Sequence, residues 1–159
     1  MAGRSINRGF SLLELVTVLV VVGILAAVAV PRLSDTQIYD QLGLYDNTRA
    51  ILRYAQKSAI ATRRVVCVTF TLTSATLTVA QTAGSFNCGA NNLTGPSGEN
   101  PYTITAKSSA TYAPAPADFN FNPLGQPVDA AGSLLPTQTI SIADGVSSIV
   151  VEGDTGYVH

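Results

Sequence analysis

Glu14 interrupts a long apolar run that covers residues 10–30 of the 159-residue chain. A charged side chain within a membrane helix costs about 2.5–3.5 kcal/mol on insertion scales, so such a residue usually has a partner or a function. Cleavage of the chain after Gly9 would leave a positively charged amine on Phe10, one helical turn from Glu14. The carboxylate would then pair with the amine of its own chain or of a neighbouring helix, and this pairing would fix the axial register between chains. The simpler alternative is that Glu14 reaches the membrane surface as an isolated charge.

Residue types that carry out catalysis are scarce. His159 is the only histidine and lies at the end of the sequence, a position typical of a frayed residue. The sequence contains no histidine–glutamate zinc motif, no nucleophile elbow and no glycine loop with the spacing needed to hold phosphate. Asp144, Glu152 and Asp154 offer oxygen ligands suited to calcium, but their spacing differs from that of known calcium loops, which favours solvated turn residues. We therefore predict that the protein is not an enzyme and binds no metal or cofactor.

Cys67 and Cys88 are the only cysteines, and neither has another Cys or a His at metal-ligand spacing. If the segment that contains them is exported, an oxidising compartment favours a disulfide between them. The bridge would close a loop of about twenty residues and stabilise the folded state by roughly 3 kcal/mol through loop entropy. The alternative is a pair of buried free thiols, because the sequence does not fix the geometry of a bridge.

A membrane anchor is the first of the elements that position these residues. The apolar run of residues 10–30 is long enough to cross a bilayer as a helix, because about 20 residues span the hydrocarbon core. An ordinary secretory leader carries its cleavage site after a shorter apolar core, whereas Gly9 lies before this run, so the run should remain in the mature chain. Arg4 and Arg8 predict that the N-terminal tail lies in the cytoplasm and that the chain after about Val30 lies outside it.

Residues 8–15, with the sequence RGFSLLEL, resemble the prepilin peptidase recognition motif of type IV pilins and of type II secretion pseudopilins. The shared features are a basic residue, Gly, Phe, three intervening residues and Glu in front of a long apolar run. The resemblance implies cleavage between Gly9 and Phe10, N-methylation of Phe10, and assembly through the apolar helix with Glu14 at the contact between subunits. Pro31, which follows the apolar run, matches a helix-kinking proline of the family.

Residues 32–62 have the pattern of an amphipathic helix. Apolar residues recur at three-, four- and seven-residue steps, as on one face of a helix with 3.6 residues per turn. These residues are Ile38, Leu42, Tyr45, Leu52, Ala55 and Ala59. We predict a long helix that continues from the membrane and packs this face on a sheet. A free coiled-coil stalk is the alternative.

After residue 64 the composition changes to that of β-strands. Residues 65–72 are rich in Val, Thr and Phe, and with residues 75–80 across a Thr-Ser turn they predict a hairpin. Residues 87–101 form a loop rich in Gly, Asn, Pro and Ser. Further predicted strands cover residues 102–106, 118–121, 139–142, 148–152 and 157–158. The order of elements predicts an α+β fold, in which a long N-terminal helix packs on an antiparallel β-sheet head of the pilin type.

Several segments of the head resemble one branch of the same family, the GspH/FimT-like minor pseudopilins and minor pilins. These segments are residues 52–60 (LRYAQKSAI) before a Val-rich strand, residues 121–125 (FNPLG), residues 149–151 (IVV) and residues 155–158 (TGYV). The resemblance implies a minor structural subunit of a type II secretion pseudopilus or a type IV pilus, which joins the filament tip and helps to initiate assembly.

These expectations divide the chain into four parts. They are a cleaved leader (residues 1–9), a transmembrane and assembly helix (10–31), an amphipathic helix that continues into the head (32–62) and a β-rich periplasmic head (63–159). The chain would cross the bacterial inner membrane once before it enters a pilus or pseudopilus. The partners implied by the resemblance are other pilin or pseudopilin subunits, the prepilin peptidase and the inner-membrane assembly platform.

Nucleic acid is not a predicted partner. The formal net charge is -1 and 12% of the residues are charged, so the chain has no global basic field. The one basic concentration consists of Arg49, Arg53, Lys57, Arg63 and Arg64, which we interpret as a solvated helix face or a contact to another subunit. The DNA-binding pilins of the FimT-like branch have basic residues near the C-terminal end, whereas residues 153–159 contain no Lys or Arg. A minor pilin that binds DNA or adheres to a surface remains the alternative function.

Overall fold

The computed structural model of the chain describes residues 11–33, 37–107, 110–143, 145 and 147–159. These residues fall into two units, Met1–Thr36 and Gln37–His159. Among the described residues, the first unit contains one helix. The second contains one helix, a five-stranded sheet and a two-stranded sheet.

Helix α1 spans Leu12–Leu33 and is composed mainly of Leu, Val, Ile and Ala. Near its start the Thr17 hydroxyl donates a hydrogen bond to the Glu14 carbonyl at 2.9 Å. The helix continues past Pro31. Within the described residues, no helix combines the length and the apolar character needed to cross a membrane. Residues 11–27 of this unit are all exposed, and most of them are apolar.

Helix α2 spans Gln37–Thr62 and packs one face against the strands of the head. Its buried residues are Leu44, Thr48, Ile51, Leu52, Ala55 and Ala59. The helix ends at Thr62, and the next residue, Arg63, has a φ of 53°. A left-handed residue is common directly after a helix, because it turns the chain away from the helix axis.

The predicted apolar face of α2 is correct for Leu52, Ala55 and Ala59, which are buried, and Tyr45 packs against the core as a partly buried residue. The prediction is wrong for the first turns of the helix, because Ile38 and Leu42 are 64% and 54% exposed. Periodicity identifies residues that share a face, but burial also requires a sheet opposite them, and the buried part of α2 begins only at Leu44.

The main sheet is antiparallel and has the order β3-β2-β1-β4-β5. Its strands are β1 (Val66–Phe70), β2 (Ser74–Val79), β3 (Thr103–Thr105), β4 (Phe119–Phe121) and β5 (Pro127–Val128). Strand β1 therefore lies in the middle, between β2 and β4. Its alternate residues Val66, Val68 and Phe70 are buried in the core, whereas Cys67 and Thr69 point to the opposite face of the sheet.

A second antiparallel pair is formed by β6 (Gln138–Ser141) and β7 (Ser148–Val151). The C-terminal residues extend this pair, because Val150 and His159 exchange two backbone hydrogen bonds of 2.9 and 3.0 Å. Residues 157–158, predicted as a strand, contribute an isolated bridge between Val158 and Val151. Ile140, Ile149 and Val151 point into the same core as α2 and the main sheet.

The predicted α+β class is confirmed, with a helix followed by an antiparallel sheet. The predicted hairpin corresponds to β1 and β2, and four further predictions correspond to β3, β4, β6 and the whole of β7. Strand β5 was not predicted. It contains two residues and begins with Pro127, so it has no alternating pattern, and Pro is tolerated at the first residue of an edge strand.

Candidate assembly site and head surface

Glu14 lies in the first turn of α1, where a negative charge interacts favourably with the helix dipole. Its side chain is exposed. In the part of the chain that the structure describes, the Glu14 carboxylate accepts no hydrogen bond and forms no ion pair, since the bond from Thr17 ends on the main-chain carbonyl. The carboxylate is therefore open to a cationic group from elsewhere.

The spacing of Ser11 and Glu14 also fits a capping box, in which the two side chains would satisfy free amides at the helix start. The sequence prediction did not consider this local role. Among the described residues, no side-chain hydrogen bond of this kind joins Ser11 and Glu14. The Glu14 side chain therefore does not cap its own helix.

Gly9 and Phe10 lie outside the described residues. Cleavage between them, methylation of Phe10 and the pairing of its amine with Glu14 therefore stay predictions.

Cys67 and Cys88 form a disulfide, with their Cα atoms 6.2 Å apart. Cys67 is on β1, the central strand of the main sheet, and Cys88 is in the loop that follows β2. The buried Cys88 packs with Val65 and Ala80 in a small cluster of its own. The bridge thus ties the loop after β2 to the middle of the sheet, and the described chain contains the predicted bond instead of two free thiols.

The basic residues of α2 and its C-terminal end do not form one solvated face, which corrects that part of the prediction. Arg53 donates hydrogen bonds from Nε and Nη2 to the carbonyl of Val158, at 3.1 and 2.9 Å. The Nε of Arg49 is buried and has no hydrogen-bond partner among the described residues. The other three basic side chains are exposed. The reason is that the C-terminal segment lies beside α2, where Val158 accepts the hydrogen bonds of Arg53 although the two residues are 105 positions apart in sequence.

The C-terminal segment also contacts the turn after β4. Gln56 of α2 donates from Nε2 to the carbonyls of Gly125 and Thr155, at 3.3 and 3.0 Å. Gln126 donates to the carbonyl of Asp154 at 2.8 Å. Gln56 therefore bridges the segments FNPLG and TGYV, and Gln126 and Asp154, the residues next to these two segments, are bonded directly.

His159 is packed instead of frayed. Its Nε2 lies 2.9 Å from Oε1 of Glu152, and its ring stacks on that of Tyr157 with 5.5 Å between centroids. Asp144, one of the three carboxylates considered for calcium, lies outside the described residues. Among those that are described, no three His, Cys, Asp or Glu side chains gather where they could hold a metal ion.

Comparison with known proteins gives two findings. Residues 4–30 match the prokaryotic N-terminal methylation motif. The fold is similar to the crystal structure of the type IV minor pilin FimU from Pseudomonas aeruginosa (strain PAO1), with a TM-score of 0.51 and 14% sequence identity over 78% of this chain and 90% of that chain. No curated protein matches the sequence significantly.

These features are an N-terminal methylation motif and an α+β head whose fold is similar to that of a minor pilin. The motif and the fold together support an assignment to the type IV pilin and pseudopilin family.

Proposed function

We propose that this chain is a minor pilin or minor pseudopilin, a structural subunit and not an enzyme, which helps to initiate filament assembly at the tip. The observation that carries the proposal is the methylation motif over residues 4–30 in front of a head with a pilin fold. Glu14 adds support, because it is a charged residue on an apolar helix and has no partner in the described part of the chain.

Before assembly, residues 10–31 anchor the chain in the bacterial inner membrane, and the head faces the periplasm. The exposed apolar side chains of residues 11–27 require surroundings without water, which the bilayer supplies. The prepilin peptidase removes residues 1–9 and methylates Phe10. The inner-membrane assembly platform then receives the mature subunit.

During assembly, α1 exchanges lipid for a bundle of similar helices from other subunits. Its apolar surface stays covered throughout, so transfer out of the bilayer does not expose it to water. The Glu14 carboxylate accepts a Phe10 amine, and the pair removes two isolated charges from an environment that cannot solvate them. Because the two groups meet at one height along the helices, this pair sets the axial register.

A minor subunit is favoured over a major one by two features of the head. One is the set of segments that resemble the GspH/FimT-like branch, and the other is the likeness of the fold to a minor pilin. The filament is a type II secretion pseudopilus or a type IV pilus.

The first test is an intact-mass measurement on protein extracted from membranes of cells with active prepilin peptidase. We expect a mature chain that begins at N-methylated Phe10. Gly9→Val, which places a bulky side chain at the cleavage site, should leave residues 1–9 attached. A wild-type chain that still begins at Met1 would contradict the processing step and, with it, entry into a filament.

The second test addresses initiation at the tip. Deletion of the gene should lower the number of filaments per cell in electron micrographs but leave their lengths unchanged, because elongation uses the major subunit. Wild-type chain supplied in trans should restore the number, and the Gly9→Val chain should not. An unchanged number of filaments in the deletion strain would refute a role in initiation.

A further inference from the structure

A groove of about 470 Å³ lies on the outer face of the main sheet, the face opposite to α2. Its floor includes Cys67 and Thr69 of β1, whose side chains alternate with the buried Val68. One wall is the loop that contains Cys88, and Ala130 of the turn after β5 lies opposite. This volume falls within the range of about 300–1,000 Å³ that is usual for sites that bind small molecules.

The strand register brings polar side chains together on this floor. Cys67 is directly opposite Thr78 on β2 and opposite Asn120 on β4, so these three residues form one row across the sheet. Thr69 lies two residues further along β1 on the same face. Asp118 directly precedes β4, and its Oδ1 accepts a hydrogen bond of 2.8 Å from the Phe70 amide.

Asn120 is a buried polar residue whose hydrogen bonds are incomplete. It is 8% exposed, and its side-chain amide makes one long bond of 3.4 Å from Nδ2 to the Asp129 carbonyl. Its Oδ1 accepts no hydrogen bond from the described residues. Thr48, the other buried polar residue described, makes two bonds of 2.7 Å. Arg49 Nε is the one buried side-chain atom without a partner among the described residues, so the Asn120 oxygen is open to the groove, where a ligand hydroxyl can donate a hydrogen bond to it.

The remaining polar groups of the floor are also free. The hydroxyls of Thr69 and Thr78 form no hydrogen bond with the described residues, in contrast to the Thr76 and Thr103 hydroxyls, which are 3.0 Å apart on the same face. The second carboxylate oxygen of Asp118 likewise has no described partner. Together these groups offer hydrogen-bond donors and acceptors spaced across a concave surface.

The rim of the groove includes an aromatic ring that is held in place. The exposed Phe86 ring packs over Gly132 so closely that a Cβ on Gly132 would lie 2.5 Å from the ring. The Cys67–Cys88 disulfide fixes the loop that follows Phe86 to the sheet. A site whose walls are already ordered loses less conformational entropy when a ligand binds.

The charge of the groove selects among ligands. Its lining contains the Asp118 carboxylate but no Lys, Arg or His. A phosphate, nucleic acid or acidic sugar would face a carboxylate without a compensating cation and is disfavoured. A neutral molecule with several hydroxyls fits, because its hydroxyls can donate to Asp118 and Asn120 and accept from Thr69 and Thr78. The Phe86 ring at the rim suits the C–H face of a sugar ring.

We propose that this groove binds a neutral saccharide, with Asp118 and Asn120 as the principal contacts to its hydroxyls. The site belongs to the outer face of the head and uses no residue of α1. Its occupation therefore does not depend on the role proposed for Glu14.

The proposal is tested with the full-length chain in lauryldimethylamine oxide micelles, a detergent without a sugar head group. The protein is applied to immobilised neutral glycans and to sialylated and sulfated ones, and the free methyl glycosides of neutral hexoses are titrated by calorimetry. We expect binding to neutral glycans or to the free glycosides, and either result supports the site and identifies the form of the sugar that it accepts.

Two variants and a matched control locate the binding. Asn120→Ala and Asp118→Asn should each weaken it about tenfold, the effect of losing one strong hydrogen bond to a ligand. Asp118→Asn retains an oxygen for the Phe70 amide and so preserves the fold if Asn120→Ala does not. Thr103→Ala, on the same sheet face but outside the groove, should bind like the wild type.

Three results would overturn the proposal. They are the absence of binding to every neutral glycan and glycoside, a preference for acidic glycans, and equal binding by the wild type and the folded Asp118→Asn variant. Cross-linking of the groove to a peptide of a neighbouring subunit in intact filaments, without any glycan binding, would assign the groove to protein contact instead.

Discussion

Tyr112 joins the helix to the sheet through a buried polar contact. The Thr48 hydroxyl donates to the Leu44 carbonyl at 2.7 Å, so its single proton is used within α2. The Tyr112 hydroxyl, also 2.7 Å from Thr48 Oγ1, must then be the donor in the second bond. The Tyr112 ring meets Phe70 of β1 edge to face, at 5.6 Å between centroids. One side chain thereby fixes the height of α2 over the core.

Tyr112→Phe should lower the free energy of unfolding by about 1 kcal/mol at neutral pH, because it removes one buried hydrogen bond and keeps the ring. Burial raises the pKa of Tyr112. The protonated Tyr112 makes its full contribution to the free energy of unfolding at pH values below about 10, the pKa of tyrosine in the unfolded chain. This contribution is lost as the pH rises through the higher pKa of Tyr112 in the folded chain, because the unfolded chain releases the proton more readily. The fall in stability at alkaline pH should therefore be shallower in Tyr112→Phe.

The measurement is urea unfolding at several pH values from neutral to alkaline, with Tyr157→Phe as the control on an exposed tyrosine. A residual alkaline fall is expected, because the pKa of Tyr102 is also raised, first by burial and then by the nearby Glu99. If Tyr112→Phe and Tyr157→Phe lose stability in parallel with the wild type as the pH rises, the buried phenol has no part in the pH dependence.

The role of a single residue could be predicted from the sequence where that role depends on residues nearby in the chain or on the oxidising compartment that contains the head. The disulfide between Cys67 and Cys88 followed from the predicted export of the head and from the absence of another Cys or a His at metal-ligand spacing. The role of Arg53 did not follow, because its partner Val158 is brought beside it only by the complete fold. The incomplete hydrogen bonding of Asn120 depends in the same way on which strands flank β1.

At the scale of secondary-structure elements, the sequence predicted the helix and strands whose apolar residues recur at a regular spacing. The hairpin of β1 and β2 and the second half of α2 were correct, because alternation and 3.6-residue spacing are local properties. The exposed first turns of α2 and the two-residue β5 were missed. Both depend on how far the sheet extends, which is decided by pairing between distant segments.

The disulfide should stabilise the head by roughly 3 kcal/mol, the entropy estimate for a loop of this size. The two cysteines are 21 positions apart, and the bond encloses β2. We expect Cys67→Ala/Cys88→Ala to unfold at a lower urea concentration than the wild type, and added reductant to affect only the wild type. Thiol labelling of the exported protein under denaturing, non-reducing conditions gives the decisive control, since two labelled cysteines would mean that the bridge does not form.

The contact between the turn at Gly125 and the C-terminal segment requires glycine at Gly156. Gly156 has a φ of 67°, and a Cβ there would collide with the Gly125 carbonyl oxygen. Gly98 has a φ of 93° but no atom within 4 Å of such a Cβ. Both Gly→Ala changes strain the backbone, and Gly156→Ala adds the collision. It should therefore cost about 1–3 kcal/mol more than Gly98→Ala in thermal or urea unfolding. If both variants lost the same free energy of unfolding, the collision would contribute nothing, and the two segments would be able to move apart without destabilising the fold.

At the scale of the whole molecule, the apolar helix and the head have separable tasks, and Glu14 distinguishes them. Glu14→Gln removes the charge from α1, so it should not impair insertion into the membrane. It should leave the unfolding of the head unchanged, because the Glu14 side chain has no partner among the described residues. Only assembly should suffer, since a Phe10 amine would then enter the helix bundle without a partner.

The loss in assembly should be large, because removing one partner of a buried ion pair costs about 3–5 kcal/mol and about 1.4 kcal/mol is a factor of ten. We expect recovery of tagged Glu14→Gln chain with sheared filaments to fall at least tenfold after normalisation to its membrane level. Thr17→Val is the matched control, because the Thr17 hydroxyl bonds only within its own helix. Equal recovery of Glu14→Gln and the wild type would mean that the carboxylate sets no register, and the apolar surface of α1 would then have to direct assembly alone.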